Sequence, residues 1–349
     1  MTIQQLFGID LPVIQAPMAG VQGSALAVAV SNAGGLGSLP CAMLSLDALR
    51  SELQAIKAQT GQPYNINFFC HAVPQADPAR EARWREALAP YYDEFGIDSS
   101  QIPAGAGRTP FNSDIADVVE AFRPPVVSFH FGLPGPALLA RVKSWGSKIM
   151  SSATTLDEAL WLEAHGVDAV IAQGLEAGGH RGLFLTDDLS TQSGTLALVP
   201  QLVRAVRVPV IAAGGIADAQ GVAAALALGA AGVQVGTAYL LCPEATTSLL
   251  HRTALKSDRA RHTALTDLFT GRPARGILNR IMRELGPLSE EPPAFPMATA
   301  ALAPLKAAAE LLQRDDFSNL WSGQNASGCR EIPAAELTRL LAAVKASHL

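Results

Sequence analysis

Eight short apolar stretches recur along the first 240 residues, and they constrain the fold more than any other feature. Each is rich in small or β-branched residues and is bounded by Gly, Pro or a polar side chain. Uninterrupted apolar runs of this length are typical of strands buried on both faces, as in parallel sheets. The runs cover residues 12–18, 35–40, 64–69, 126–132, 148–154, 168–174, 208–215 and 232–238.

Helix-like segments lie between these runs, such as "SLDALRSELQAIKAQTG" and "TTLDEALWLEAHG". Several begin with Ser or Thr and end with Gly, which is the chemistry expected at helix caps. Eight strand–helix units of this size match a TIM barrel. A doubly wound open sheet is the alternative, but it would carry a Gly-rich first turn where this chain has "APMAG". We therefore predict an α/β fold, a TIM (β/α)8 barrel.

The pattern changes after the eighth run. Residues 242–320 are helical in pattern and rich in Arg and Ala, and the Pro-rich "GPLSEEPPAFP" interrupts them. We predict a helical appendage or lid there, and a barrel made of residues 1–241 together with 321–349. The long connection between residues 69 and 126, which contains "AGAGRTP", is expected to form a second excursion over the barrel.

Charge and composition exclude several classes of protein. The net charge is −5 and there is no basic cluster, so nucleic acid is not an expected partner. We identify neither an export signal nor a run that spans a bilayer, and a membrane association is not expected. The four cysteines have no pairing or metal-ligand spacing, which favours reduced thiols in a cytoplasmic protein. A monomer and a homodimer both remain open.

Catalysis in such barrels takes place at the carboxyl ends of the strands. None of the six lysines lies at such an end, which disfavours a Schiff-base enzyme. Several carboxylates would be needed for a hard divalent metal, and these ends lack them. A zinc site formed by His71, His130 and His180 is also disfavoured, since few carboxylates lie near them to orient the rings. We therefore predict no metal.

Glycines follow the sixth, seventh and eighth strands and expose bare backbone N–H groups. Barrels commonly bind phosphate after strands seven and eight, and the helix that follows "GIADAQG" adds a favourable dipole. Asn67 and Gln173 end two other strands, and their amides suit a planar heterocycle. The combination predicts an organic cofactor with a phosphate group, for which FMN is the natural choice. The glycines are Gly178, Gly179, Gly214, Gly215 and Gly236.

Six motifs in order resemble the class I branch of the nitronate monooxygenase family. They are "QAPMAG", "NINFFCH", "VVSFHFGLP", "QGLEAGGHRG", "AAGGIAD" and "QVGTAYL". The match runs from residue 12 to about residue 241, and "WSGQ" near Trp321 also fits. The resemblance implies an FMN-dependent TIM barrel that oxidises alkyl nitronates with O2 without NAD(P)H. Its expected partners are therefore a small-molecule nitronate and O2.

The resemblance also implies roles for individual residues. His180 is the expected active-site histidine, either as a donor to a nitronate or as a base toward a nitroalkane. His130 is either a second catalytic group or a structural histidine, and His71 and Phe295 are expected near the substrate. An ion pair between Arg181 and Glu176 is expected on the His180 loop. The implied flavin contacts are Ala16, Pro17, Met18, Asn67, Gln173, Gly178, Gly215, Gln234, Val235, Gly236 and Thr237.

One departure from the family concerns the substrate. The resemblance implies tyrosines and a lysine that face the substrate from the appendage, but Phe295 stands at the first tyrosine position. The segment "AGAGRTPF" also lacks a tyrosine. We therefore expect a shift away from small acidic nitronates, such as propionate 3-nitronate, toward neutral or larger ones.

Three other functions remain open at this stage. An FMN barrel that uses NAD(P)H, such as a quinone or enoyl-thioester reductase, would share the cofactor site. A flavin-binding protein without turnover would share it as well. A phosphate-binding barrel isomerase would share only the phosphate contacts.

Overall fold

Eight parallel strands close into a barrel in the computed structural model, which describes residues 1–102 and 108–344. Each predicted run contains one barrel strand, so the TIM barrel is confirmed. The barrel strands are β1 (Val13–Gln15), β2 (Gly37–Pro40), β3 (Tyr64–Phe69), β4 (Val126–His130), β5 (Lys148–Ala153), β6 (Ala169–Gln173), β8 (Val210–Ala213) and β9 (Gly232–Val235). A separate small sheet contains β7 (Gly179–His180), β10 (Thr263–Thr266) and β11 (Ala274–Ile277).

The barrel is closed by the contact between its first two strands. The remaining barrel neighbours follow the order β1-β9-β8-β6-β5-β4-β3-β2. Leu36, just before β2, donates its N–H to the carbonyl of Val13 at 3.0 Å and accepts from Gln15 N at 3.0 Å. Most observed strands end before the predicted runs do, because the residues beyond each end leave the ladder and enter the loops around the site.

Thirteen helices surround the barrel or form the appendage within the described residues. Several begin as the sequence predicts, since Ser45 and Thr155 accept backbone N–H groups at the starts of α3 and α7. The helices are α1 (Ile3–Phe7), α2 (Ser24–Asn32), α3 (Leu46–Gln59), α4 (Pro78–Phe95), α5 (Ser113–Glu120), α6 (Pro136–Ser144), α7 (Leu156–Ala164), α8 (Thr195–Ala205), α9 (Ala219–Ala227), α10 (Leu249–Leu255), α11 (Arg280–Glu284), α12 (Ala298–Leu311) and α13 (Ala334–Ala342).

Helix α1 closes the amino-terminal end of the barrel. Ile3 and Phe7 are buried and pack in one cluster with Val126 and Ala169, which are the first residues of β4 and β6. This end is therefore filled with apolar side chains. The open space lies at the opposite end, where the strands finish.

The appendage has its own apolar core, and α4 contributes to it. Trp84 of α4 donates its indole N–H to the carbonyl of Ala298 at 3.2 Å, and the hydroxyl of Tyr92 donates to the carbonyl of Ala301 at 2.7 Å. The predicted excursion after β3 therefore packs on α12. Residues 103–107, which include the first four residues of the "AGAGRTP" segment, lie outside the described residues.

The appendage also contains two strands that the sequence did not predict. β10 pairs with β11, and β11 pairs with β7 of the glycine-rich loop, all antiparallel. These strands have only two to four residues, too few for a clear alternating pattern. Their effect is to join the appendage to the rim of the barrel at His180. In the parts of the chain that the structure describes, no helix has the length and apolar character needed to cross a membrane.

Candidate active site

A cavity of about 580 Å³ lies at the carboxyl ends of the strands, beneath the appendage. The loops after β1, β6, β8 and β9 form its barrel side, and α12 with residues 317–325 forms the other. Most of the predicted site residues are brought together here. Those on its wall are Ala16, Pro17, Met18, Asn67, His130, Gln173, Gly178, Gly179, His180, Gly214, Gly215, Gln234, Gly236 and Thr237.

Three predicted site residues do not line this cavity. Val235 is 1% exposed and belongs to the barrel core, and its carbonyl accepts from Ala16 N at 2.8 Å. It alternates with Gln234 along β9, so only one of the two side chains reaches the cavity. His71 and Phe295 lie behind the wall, with ring centroids 4.8 Å apart. Phe295 also packs against the ring of His180, at 5.4 Å.

The ring of His180 is fixed by a threonine of the appendage. Its Nε2 lies 2.9 Å from Oγ1 of Thr270. We assign the Thr270 hydroxyl proton to the carbonyl of Arg272, 3.4 Å away, so that the hydroxyl oxygen accepts the proton of His180 Nε2. Nδ1 is then the unprotonated nitrogen, and it has no partner among the described residues. The half-buried ring therefore presents a basic nitrogen at the cavity.

The surroundings of His180 keep it neutral. Burial lowers the pKa of His180 well below its ordinary value, and the positive charges of Arg108 and Arg272 lower it further. A neutral imidazole can take up a proton, but its unprotonated nitrogen cannot donate one to an anion.

His130 holds the backbone of the loop that carries His180. Its Nε2 donates to the carbonyl oxygen of His180 at 3.2 Å, and its Nδ1 accepts from Oγ of Ser152 at 3.0 Å. Burial lowers the pKa of His130 to about 3, so the ring is neutral and both nitrogens have protein partners. Gln173 donates to the same carbonyl at 2.9 Å and accepts from Gly182 N at 2.7 Å. Two side chains thus hold the His180 peptide.

The expected ion pair between Arg181 and Glu176 is wrong. Arg181 is fully buried and donates to the carbonyls of Gln173 at 2.9 Å and Gly174 at 2.8 Å. Glu176 instead accepts from the backbone N of Thr195 at 2.8 Å and its hydroxyl at 2.9 Å, at the start of α8. The two charged side chains separate because each satisfies backbone groups that would otherwise be buried without partners.

The glycines that follow β6, β8 and β9 line the cavity beside residues 321–325, and we call this surface the glycine cradle. They are Gly178, Gly179, Gly214, Gly215 and Gly236. A Cβ on Gly178 would lie 2.6 Å from the backbone N of Gly323, so only glycine allows the two segments to touch. Gly323 N donates to Oγ1 of Thr237 at 2.9 Å, and Asn325 donates to the carbonyl of Gly215 at 3.0 Å. The "WSGQ" motif contains Gly323 and lies directly before Asn325, but its resemblance to the family implied no role for either residue.

Gln234 shows what kind of ligand the cradle needs. Its side-chain oxygen is buried with no hydrogen-bond partner in the described structure. An unsatisfied buried carbonyl oxygen costs free energy, so a ligand that donates an N–H or O–H group would be favoured here. Asn67, also on the wall, donates to Oγ of Ser128 at 2.9 Å. The described wall thus combines bare backbone with one amide oxygen, that of Gln234, which needs a donor.

The far wall carries a lysine, although none of the lysines within the described residues lies at the carboxyl end of a barrel strand. Lys306 of α12 lines the cavity and donates to Oδ1 of Asn319 at 2.9 Å. Glu310, one turn further along, is the one carboxylate among the described residues of the cavity wall. No group of three or more His, Cys, Asp or Glu side chains within residues 1–102 and 108–344 is arranged to hold a metal ion.

Comparisons with known proteins agree with this geometry. A family model described as nitronate monooxygenase matches residues 1–343. A nitronate monooxygenase of Paraburkholderia phytofirmans is 45% identical over 343 residues, which cover 96% of this chain and 92% of that protein. One of Pseudomonas aeruginosa is 44% identical, with 97% of both chains covered. The structure of a nitroalkane oxidase from Streptomyces ansochromogenes has a TM-score of 0.89 at 38% identity, covering 98% of this chain and 96% of that one.

Proposed function

Since the chain belongs to the nitronate monooxygenase family, we propose that it oxidises alkyl nitronates with O2, using FMN. The products are a carbonyl compound and nitrite or nitrate. The observation that carries the proposal is His180, a neutral ring with a free Nδ1 at the edge of a glycine-lined cavity. The chain would therefore handle both nitronates, which arrive deprotonated, and nitroalkanes, which must first lose a proton.

The residues of the cavity fit FMN. Its ribityl chain and flavin ring carry the O–H and N–H groups that the buried oxygen of Gln234 lacks. Its phosphate would be held by backbone N–H groups at Gly178, Gly215 and Gly236, where no side chain intervenes. The chemistry that FMN supplies when bound is electron transfer between the nitronate and O2.

Ala16 and Met18 are proposed to cover one face of the flavin, together with Pro17. A Cβ on Gly236 would lie 3.4 Å from Cβ of Ala16 and 3.6 Å from Sδ of Met18, so these residues border the cradle directly. The backbone N of Ala16 is fixed by Val235, as described above. Apolar groups against the ring exclude water from that side.

His180 is proposed to act as the general base toward nitroalkanes. Its Nδ1 would accept the proton from the carbon that bears the nitro group, while Thr270 holds Nε2 and so fixes the tautomer. His130 and Gln173 are positioning residues, because both contact the His180 carbonyl and neither offers a free basic nitrogen. A protonated His180 is not needed for this role.

We propose that the barrel and the appendage have different functions. We assign cofactor binding to residues 1–241 with 321–349, and the covering of the substrate to residues 242–320. What supports this division is that Thr299, Leu302 and Lys306 of α12 face the same cavity as the glycine cradle. The four cysteines are free, which fits the cytoplasmic location that we propose.

The test is O2 consumption by the purified yellow protein with a panel of nitronates. We expect nitronate-dependent O2 uptake and no bleaching of the flavin by NADH or NADPH under anaerobic conditions. Rapid bleaching by NADH without nitronate-dependent uptake would instead indicate a reductase. A yellow protein with neither response would be a flavin binder without turnover.

A further inference from the structure

Arg108 is a cation on the cavity wall that lacks an acidic partner. Arg108 lines the cavity and is half-buried, and its guanidinium forms no ion pair or side-chain hydrogen bond within the described residues. The one carboxylate on the described wall, Glu310, is engaged by Ser318 at 2.6 Å. A guanidinium withdrawn from water without a counterion is costly, so a bound anion would be favoured at this point.

The position of Arg108 is set by its neighbours. Its Cζ lies 6.0 Å from the ring centroid of Phe69 and 5.6 Å from that of Phe295. These two rings also pack against His180, at 6.2 Å and 5.4 Å. The guanidinium therefore lies close to the proposed base, and the cation–π contacts offset only part of its lost hydration.

His71 fixes the backbone of Arg108. Its Nε2 donates to the carbonyl of Arg108 at 2.9 Å, and burial lowers the pKa of His71, which keeps the ring neutral. A neutral His71 adds no charge that would compete for an anion. His71 therefore acts through Arg108 as a positioning residue and does not line the cavity.

We propose that Arg108 binds the anionic group of the substrate. The proposal rests on the proposed oxidation of nitronates, and it supplies a positive charge that His180 lacks. Lys306, the other cation on the described wall, already donates to Asn319 at 2.9 Å and lies 3.9 Å from the carboxylate of Glu310. His180 is neutral and presents an unprotonated nitrogen, so it cannot stabilise a negative charge. A guanidinium donates two parallel N–H groups, which match the two oxygens of a nitronate or of a carboxylate. Arg108 would also replace the tyrosine contacts whose absence led us to expect poor binding of acidic nitronates.

The experiment compares the FMN-loaded wild type with Arg108→Met and Arg108→Lys. Arg261→Met serves as the control, since that arginine is 83% exposed on the appendage. The substrates are propionate 3-nitronate and the nitronate of 1-nitropropane, which share a chain length and differ in the carboxylate. Binding of nitrite, a small anion, is measured separately by isothermal titration. The retained fold is checked by circular dichroism and Tm.

We expect Arg108→Met to raise KM by about 10- to 100-fold, as for the loss of one charge-assisted contact, with kcat less affected. If Arg108 binds the nitronate oxygens, KM rises for both substrates. If it binds the carboxylate, KM rises for propionate 3-nitronate alone. Arg108→Lys should recover part of the loss because it keeps the charge but not the paired donors.

The nitrite titration separates this proposal from the proposed function. Nitrite binding that weakens about tenfold or more in Arg108→Met would support the anion site even if the wild type oxidised no nitronate. Unchanged KM values and unchanged nitrite affinity in a folded Arg108→Met would overturn the assignment. A wild type that consumes no O2 with any nitronate would overturn the proposed function alone.

Discussion

Nε2 of His130 lies 3.2 Å from the carbonyl oxygen of His180, so one histidine holds the backbone of the other. The two rings come from β4 and β7, fifty residues apart in the chain. Because His130 uses both nitrogens in this arrangement, the free nitrogen of the pair belongs to His180. We thus assign the role of base to His180 and the positioning of its backbone to His130.

Replacing His180 tests the base directly. In His180→Ala, FMN binding should stay nearly intact because the glycine cradle lies elsewhere. Turnover of neutral nitroalkanes should fall by roughly 10²- to 10⁴-fold, the usual effect of losing a general base, with a smaller loss for preformed nitronates. His180→Asn is the matched control for size and polarity. Wild-type turnover of both substrate forms in FMN-loaded His180→Ala would contradict this role, and His130 would then be the residue to test.

The pH dependence of nitroalkane oxidation should reveal the lowered pKa of His180. A base must be unprotonated to act, and burial with Arg108 and Arg272 lowers the pKa of His180 well below its ordinary value. We therefore expect kcat/KM for fresh nitroalkane to stay level as pH falls through 6.5, and to decline only at lower pH. Stopped-flow traces between pH 5 and 8 measure this. An acid limb centred at or above pH 6.5 would show that the ring is solvated in the active enzyme.

Buried histidines should make the fold sensitive to acid. Burial lowers the pKa of His130 to about 3 and that of His251 to about 4, whereas both would titrate near 6.5 in the unfolded chain. At pH values between these folded-state pKa values and about 6.5, the unfolded chain therefore binds more protons than the folded protein. The stability contributed by each group is complete above pH 6.5 and falls as pH drops, by at most about 1.4 kcal/mol per pH unit for each histidine.

The measurement is Tm as a function of pH. His130→Gln should flatten the acid slope relative to the wild type, whatever it does to Tm at neutral pH. His165→Gln, at an exposed position, is the matched control. Parallel slopes in all three proteins would mean that His130 takes up no extra proton on unfolding.

Gly236 tests the cradle with little risk to the fold. A Cβ there makes only ordinary contacts, the nearest at 3.4 Å, so Gly236→Leu should fold. Its larger side chain would occupy space proposed for FMN, and we expect most of the flavin absorbance to be lost after purification. Gly61→Leu is the control, because a Cβ at that exposed glycine meets nothing within 4 Å. Full FMN retention in a folded Gly236→Leu would show that FMN does not bind against Gly236 at the end of β9.

The barrel was predictable because its strands are buried on both faces, which leaves long apolar runs in the sequence. The cavity residues at the strand ends were predictable for the same reason. Once the apolar run of a strand is located in the sequence, the residues that follow it are known to lie at the carboxyl end of the barrel. The side chain of Val235 lies in the barrel core and not at the cavity, because a contiguous motif ignores the alternation of side chains along β9. His71 and Phe295 were placed at the substrate, whereas the structure packs them behind Phe69 and His180.

Contacts made across distant segments were not predictable. Thr270 of the appendage contacts His180, and Arg108 of the excursion after β3 lies against the rings that pack on it. Neither stands in a recognisable motif. Arg181 looked like the partner of Glu176 because the two are close in sequence. Its observed partners are two backbone carbonyls and the side-chain oxygen of Gln192, and the sequence carries no signal for these contacts.

The contact between Gly178 and Gly323 has a consequence for the order in which the protein matures. Chains emerge from the ribosome amino terminus first, and their domains generally fold as units as they appear. All eight barrel strands are available once β9 has been made, but the segment of Gly323 and Asn325 that covers Gly178 and Gly215 comes much later. We therefore expect a nascent barrel to stay open on that side until residues 321–325 are synthesised, which would make capture of the proposed cofactor a late event in translation.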